Sequence, residues 1–239
     1  MINILIADDN AYYASNLLNY INDKNKNVRI CGIVRNGKEA IEKINSNNDI
    51  DIILLDFKMP LYNGEEVLKK VRDKNKLENS FIIITGEIEL IKELQKNNMV
   101  YGIFDKLVGF EKIYTSINEL IKYKETTKYN EKIKSRVTEE LLFLGYNISH
   151  KGTQYLIRTI QYIVTHPNNE VEKLEKYIYP KIAKMYKDST HNVKCSIIRA
   201  TNSMYYECEI ERLKKYFYFA DDFKPTAKVV KNTIANKLS

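Results

Sequence analysis

The chain has 239 residues, 44% of them hydrophobic, and its formal net charge is +7 at pH 7; this length exceeds the commonest size of a single domain and predicts two domains. The longest apolar runs are far shorter than the roughly 18 residues of a membrane span, and the N-terminus lacks a basic segment before an apolar one, so we expect a soluble, cytoplasmic protein without membrane association. The three cysteines and three histidines show neither Cys-x-x-Cys nor metal-ligand spacing, which argues against a disulfide framework and a zinc site.

The first half of the chain alternates between short apolar runs and helical patterns. Strands are predicted at Ile2 to Ala7, Val28 to Val34, Asp51 to Asp56, Phe81 to Ile84 and Val100 to Phe104. A helical pattern follows each strand, and the fourth of these runs from Ile88 to Leu94. Five such alternations predict an α/β fold with a doubly wound, five-stranded parallel sheet of the flavodoxin type.

Polar side chains stand where the predicted strands end. They are Asp8, Asp9, Asp56, Thr85 and Lys106. Each one alone has an ordinary alternative as a cap or turn residue, but the carboxyl ends of parallel strands meet at one edge of the sheet, so together they predict a site. Three converging carboxylates need a cation, and an oxygen-only site suits Mg²⁺. With the metal bound, Asp56 is a candidate nucleophile toward a phosphoryl group, which Lys106 and the Thr85 hydroxyl would contact.

At these residues the sequence resembles the response-regulator receiver family, over about residues 1–123. The motifs that carry the resemblance are Ile6-Ala7-Asp8-Asp9-Asn10, Leu55-Asp56-Phe57-Lys58-Met59-Pro60, Ile84-Thr85-Gly86 and Lys106. The resemblance implies that Asp56 is the phosphoacceptor, that Asp8 and Asp9 with Asp56 bind Mg²⁺, and that the donor is a sensor histidine kinase or a phosphotransfer protein. It implies a switch hydroxyl at Thr85, a phosphate partner at Lys106, and a phosphoacceptor regulator instead of a self-sufficient enzyme.

The sequence departs from the receiver pattern at two positions. Leu107 follows the lysine where the family usually has a proline with a cis bond, and a non-proline cis bond costs about 2.5–4 kcal/mol, so a trans bond is expected. Ile103 stands where the family tends to keep Phe or Tyr as a reporter; either Tyr101 substitutes for it or the aromatic part of the switch is absent. A pseudo-receiver that never carries phosphate and dimerises constitutively is therefore an alternative.

The second half of the chain holds the whole excess of positive charge. Residues 1–123 contain 17 Lys/Arg and 18 Asp/Glu, whereas residues 124–239 contain 21 and 13. A basic half joined to a near-neutral one suggests a module that binds polyanions, although basic surfaces also serve solubility. Residues 124–134 are almost wholly polar and predict a linker, or an extension of the preceding helix. Residues 135–239 are helical in pattern throughout, which predicts an all-α domain.

A helix-turn-helix is predicted in this basic half, with an ordinary helical hairpin as the alternative. Pro180 is expected to begin a short helix, and a turn at residues 187–190 leads to a second helix with Val193 and Ile197 on its inner face. The residues available on the outer face, as candidate DNA contacts, are His191, Asn192, Lys194, Cys195, Ser196 and Arg199.

Residues 135–239 resemble the C-terminal effector domain of the sporulation initiation regulator family, stage zero sporulation protein A. The resemblance is carried by Leu144-Gly145, Lys151-Gly152-Thr153-Gln154-Tyr155-Leu156, Tyr179-Pro180-Lys181-Ile182-Ala183-Lys184-Met185-Tyr186 and Lys224-Pro225-Thr226. It implies a DNA-binding transcription regulator related to sporulation, with promoter DNA as a partner. Phosphorylation of Asp56 is then expected either to promote dimerisation, with a homodimer as the active form, or to release the effector. Asn192 and Cys195 replace arginines of the family's recognition helix, so the target site need not be shared, and a protein-interaction effector is the alternative.

Overall fold

The computed structural model describes residues 1–25, 27–47, 49–72, 81–86, 94, 99–167, 174–218 and 224–239. The chain forms two compact units, Met1–Lys124 and Glu125–Ser239. Within the described ranges, no helix has the length and hydropathy that a membrane span requires.

The first unit is built on a parallel sheet. Its strands are β1 (Ile2–Ala7), β2 (Val28–Val34), β3 (Ile52–Asp56), β4 (Phe81–Thr85) and β5 (Val100–Phe104). Their order is β2-β1-β3-β4-β5, and every neighbouring pair is parallel. The predicted doubly wound sheet of the flavodoxin type is confirmed. Because the winding reverses between β1 and β3, the crevice at their carboxyl ends is the expected ligand site.

Helices pack on both faces of this sheet. They are α1 (Ala11–Lys24), α2 (Gly37–Ser46), α3 (Gly64–Arg72) and α4 (Phe110–Phe143). Alternate residues of β3 point to opposite faces, so Ile52 and Leu54 join the core under α1 and α4, while Ile53 and Leu55 join the core under α2 and α3. All of β3 is buried, which explains its continuous apolar run. The helix predicted at Ile88 to Leu94 lies outside the described residues except for Leu94 itself.

The polar stretch at residues 124–134 is helical, because α4 runs from Phe110 to Phe143. The stretch contains neither Pro nor Gly, so no residue in it breaks the helix. Lys124 is paired with Asp51 at 3.2 Å, and Ile133 is 2% exposed. Of the two interpretations of this stretch, the extension of the preceding helix matches the structure. The domain boundaries at 1–123, 124–134 and 135–239 stay a prediction.

The second unit is helical in all the elements that the structure describes. After α4 come α5 (Lys151–Thr165), α6 (Leu174–Tyr186), α7 (Thr190–Glu207), α8 (Ile210–Lys214) and α9 (Ala227–Leu238). Their apolar faces share one core that includes Leu141, Tyr155, Val193 and Ile234, each 0% exposed. Gly145 has φ +81°, a left-handed conformation that glycine adopts without strain, and it lies two residues after the end of α4.

The prediction that Pro180 begins a helix is wrong. Pro180 lies inside α6 (Leu174–Tyr186). A proline there removes one backbone hydrogen bond and is unfavourable in isolation. Ile178, Tyr179 and Ile182 beside it are 5%, 3% and 4% exposed, so burial of this face stabilises the helix through the proline.

Candidate functional site

The carboxyl ends of β1 and β3 bring three aspartates together. Asp56 is the last residue of β3, and Asp8 directly follows β1, which pairs with β3 at Ala7 and Leu55. Asp8 and Asp56 are 2% and 3% exposed, whereas Asp9 is open to solvent. One carboxylate oxygen from each aspartate lies within 4.8 Å of the others. The three predicted metal ligands therefore form one cluster.

Lys106 joins this cluster from the turn after β5. Its Nζ donates to Asp56 Oδ2 at 2.5 Å and lies 3.0 Å from Asp8 Oδ2. The described residues contain no cis peptide bond, so the bond between Lys106 and Leu107 is trans, as expected without a proline. Asp105 Oδ1 accepts from the Leu107 N–H at 2.8 Å and starts a 3₁₀ turn. The turn thus delivers the lysine to the aspartates without the family's proline.

Burial dominates the electrostatics of the cluster. It raises the pKa of the Asp56 carboxyl, with Asp8 acting in the same direction and the hydrogen bond from Lys106 opposing both. Burial alone would lower the pKa of Lys106, but its hydrogen bonds to Asp56 and Asp8 prevail and the pKa is raised. One ammonium group does not compensate three carboxylates, and carboxylate oxygens are the ligands that Mg²⁺ prefers. Asp8, Asp9 and Asp56 therefore fit a divalent cation.

We expect Asp56→Asn to raise the midpoint of thermal unfolding by a few degrees at pH 7 without Mg²⁺. Folding raises the pKa of Asp56. The protonated carboxyl therefore contributes stability that is fully present below the unfolded pKa and is lost as the pH rises through the folded pKa. The gain should therefore be largest at pH 7 and shrink as pH falls through the folded pKa. Calorimetry across this range measures it, with Asp9→Asn as the exposed control. A gain that does not change with pH would contradict the argument.

The remaining receiver positions have mixed outcomes. Thr85 pairs in register with Asp56 through the backbone of β4, but its side chain lies outside the described part of the chain. Ile103 packs against the core under α2 and α3. Tyr101 is 44% exposed, and its hydroxyl donates to Glu119 at 3.2 Å.

Sequence reasoning missed Tyr13 as a neighbour of the site. Lys106 Nζ lies 5.1 Å from the centroid of the Tyr13 ring. Burial, followed by the charge of Asp8, raises the pKa of Tyr13 to about 12. Tyr13 follows the helical period of α1 together with Leu17 and Ile21, which by itself indicates only a packing role. The available signal was its position four residues after Asp9, one helical turn from the acidic pair.

The predicted helix-turn-helix corresponds to α6, a turn at residues 187–189, and α7. Ser189 caps α7, because its side chain accepts from the Asn192 N–H at 3.1 Å. Val193 and Ile197 are fully buried as predicted. Of the candidate DNA contacts, His191, Asn192, Lys194 and Arg199 are exposed, while Cys195 and Ser196 are partly buried. The helix thus has an apolar inner face and a polar outer face.

Several candidate DNA contacts of α7 are bonded to other side chains of the protein. Asn192 Nδ2 donates to Asp188 Oδ1 at 2.8 Å, and Asp188 Oδ2 accepts from the Tyr155 hydroxyl at 2.8 Å. The hydrogen bond from Asn192 is the largest influence that lowers the pKa of Asp188. His191 Nε2 lies 3.4 Å from Cys195 Sγ. Asn192 therefore stabilises the turn in this structure.

Family comparisons assign both halves of the chain. The response regulator receiver domain matches residues 4–118, and the sporulation initiation factor Spo0A C-terminal domain matches residues 137–238. The chain is a response regulator. A receiver of this kind is a phosphoacceptor and not a classical enzyme, and the second match identifies the effector as a DNA-binding domain.

Curated relatives of the regulator share only part of its length. The protein-glutamate methylesterase/protein-glutamine glutaminase of Bacillus subtilis is 32% identical over 105 residues, which are 44% of the regulator and 28% of that protein. Its counterpart in Bacillus licheniformis is 37% identical over 71 residues, 30% of the regulator and 19% of that protein. The regulator therefore spans less than a third of the length of each of these two proteins.

Solved receiver domains are also similar to the regulator. The signal receiver domain of the putative Luxo repressor protein from Vibrio parahaemolyticus is 21% identical with a TM-score of 0.46, covering 54% of the regulator and 95% of that chain. The receiver domain of the Francisella response regulator 1452 is 25% identical with a TM-score of 0.45, covering 52% of the regulator and 98% of that chain.

Proposed function

We propose that this regulator is a transcription factor controlled by phosphorylation of Asp56, and that its donor is a sensor histidine kinase or a phosphotransfer protein. The observation that carries the proposal is the Lys106 ammonium held between Asp8 and Asp56. It supports the proposal because phosphoryl transfer to Asp56 would need a carboxylate nucleophile, a nearby cation and a Mg²⁺ site at one point.

The chemistry follows from the two oxygens of Asp56. Oδ2 accepts from Lys106, and Oδ1 accepts from the backbone N–H of Lys58 at 3.3 Å, so hydrogen bonds orient both oxygens of the carboxylate. One carboxylate oxygen attacks the phosphorus, and the bond from phosphorus to the donor breaks. Mg²⁺, when bound by Asp8, Asp9 and Asp56, supplies charge that stabilises phosphoryl oxygens. Lys106 then donates to the transferred group.

We infer that the phosphorylated receiver changes the binding of promoter DNA by α7, with a homodimer as the active form. The exposed cations Lys194 and Arg199 and the basic second half support contact with DNA phosphates. A role in sporulation is part of the proposal and is supported by the effector family alone.

The test is genomic footprinting of the full chain, with Mg²⁺, before and after treatment with acetyl phosphate. Phosphorylation is followed in parallel by electrophoresis that separates the phosphorylated form. Discrete sites whose protection changes with phosphorylation are the expected result. Wild type that takes up no phosphate would favour the pseudo-receiver that dimerises constitutively.

Lys194→Ala should weaken DNA binding by about three- to tenfold at moderate salt, since it removes one exposed cation from the outer face of α7. If Lys194 contacts a phosphate, the negative slope of log affinity against log salt concentration should also become about one unit shallower. Fluorescence anisotropy with a footprinted site measures both quantities. Lys187→Ala, in the turn before α7, is the comparison, and equal effects of the two variants would contradict a specific contact by Lys194.

A second candidate function is a protein-interaction effector that no longer reads DNA. It is favoured by the bond from Asn192 to Asp188, which occupies an amide that would otherwise be available to a base. Footprinting separates the two candidates, because a protein adaptor gives no sequence-specific protection.

A further inference from the structure

The ring of Tyr13 borders the acidic cluster on the side of Lys106. Lys106 Nζ lies 5.1 Å from the ring centroid and 2.5 Å from Asp56 Oδ2. An ammonium group over an aromatic face is attracted to it, most strongly where water is partly excluded. We propose that Tyr13 is a positioning residue, which holds the Lys106 ammonium beside the phosphoacceptor. This inference rests on the proposed function of Asp56 and extends it to a residue outside the acidic motif.

One turn of the backbone fixes Tyr13 relative to the aspartates. The Asn10 N–H donates to Asp8 Oδ1 at 2.9 Å, and Asn10 Oδ1 accepts from the Tyr13 N–H at 3.0 Å, which caps α1. The residue that orients the Asp8 carboxylate therefore also sets the start of the helix that carries Tyr13. The ring and the carboxylate keep a defined separation as a result.

The ring is also held by the segment that carries Lys106. The rings of Tyr13 and Phe110 are 5.2 Å apart between centroids, with 70° between their planes, an edge-to-face pair. Phe110 is the first residue of α4 and comes four residues after Lys106. Contacts to Lys106 and Phe110 thus hold the Tyr13 ring against both ends of the segment 106–110, which leads from β5 into α4.

The hydroxyl of Tyr13 contributes no such contact. Its oxygen is buried and has no hydrogen-bond partner among the described residues. An unpaired buried hydroxyl costs stability, so the ring and not the hydroxyl is the part that acts on Lys106. Phenylalanine at position 13 should therefore still hold Lys106, whereas an aliphatic residue of similar size should not.

Lysine reactivity tests the proposal independently of phosphorylation. The full chain is treated briefly with acetic anhydride, and the acetylation of Lys106 is followed by mass spectrometry. We expect Tyr13→Leu to raise the rate of acetylation at Lys106 by about fivefold, which is the change expected when a partly desolvated cation–π interaction is lost. Tyr13→Phe should behave like wild type, and so should Tyr12→Leu, a neighbouring change at a tyrosine that is 79% exposed. Tyr13→Met is the second aliphatic variant if Tyr13→Leu does not fold.

The outcomes separate the proposal from the proposed function. An unchanged rate in Tyr13→Leu overturns it, and so does a Tyr13→Phe variant that behaves like Tyr13→Leu. Phosphoryl uptake from acetyl phosphate is then compared among the same variants. We expect slower uptake in Tyr13→Leu at saturating donor, with Tyr13→Phe at the wild-type rate. Wild type without uptake would overturn the function proposed for Asp56, whereas the labelling of Lys106 would still decide the role of Tyr13.

Discussion

Asp56→Asn should abolish phosphoryl uptake from acetyl phosphate while the chain stays folded, a loss of at least about 10³-fold in rate. The carboxamide keeps the size of the side chain and can still accept from Lys106, but it lacks the nucleophilic oxygen. Asp56 ends a strand that is buried at every residue, so few other carboxylates can reach the same point. Electrophoretic separation of the phosphorylated form, with time points at fixed Mg²⁺, measures the rate.

Asp23→Asn is the matched control, because Asp23 is an exposed carboxylate near the end of α1. It should take up phosphate like wild type. Uptake by Asp56→Asn at a comparable rate would move the phosphoacceptor to another residue and overturn the proposed role of Asp56.

Gly152→Ala should destabilise the second unit by about 3 kcal/mol and abolish specific DNA binding, because it forces α5 away from α7. A Cβ added at Gly152 would lie 2.1 Å from the Ser196 carbonyl oxygen and 3.0 Å from Ala200 Cβ. The first of these is a backbone atom of α7, so the clash is relieved only by moving the helix that carries the candidate DNA contacts. Thermal unfolding and fluorescence anisotropy with a footprinted site measure the two effects.

Lys151→Ala serves as the comparison for Gly152→Ala, since Lys151 is the exposed neighbouring residue in α5. It should change stability only slightly. Phosphoryl uptake at Asp56 should continue in Gly152→Ala, which would show that the receiver unit is folded. Normal DNA affinity in Gly152→Ala would mean that α5 and α7 are not packed as the structure has them.

The arrangement of the acidic cluster could be predicted from the sequence because it follows from topology. Asp8 and Asp56 come at the ends of β1 and β3, and parallel neighbours necessarily bring these ends together. The inner face of α7 could be predicted equally well, since Val193 and Ile197 follow the helical period, and both are fully buried. In both cases a local pattern was enough to determine which side of the element is buried.

Other features could not be predicted from such local patterns. Pro180 was expected to begin a helix because local propensity favours that, whereas burial of the neighbouring residues keeps it inside α6. The approach of Lys106 to the Tyr13 ring depends on the path of the turn after β5, which no period in the sequence specifies. The bond from Asn192 to Asp188 depends on side-chain rotamers in a turn. The role of the Thr85 hydroxyl as a contact of the phosphoryl group stays a prediction.

The complete burial of β3 has a consequence for how this regulator tolerates change. Ile52 to Leu55 are between 0% and 2% exposed, and Asp56 continues the same strand. A close-packed interior transmits small volume changes to its neighbours. If Asp56 carries phosphate as proposed, conservative replacements such as Ile53→Val or Leu55→Val should therefore alter the lifetime of the phosphorylated form before they unfold the protein, and the rate of phosphate loss measures this. In this chain, the timing of a signal would be set by the hydrophobic core.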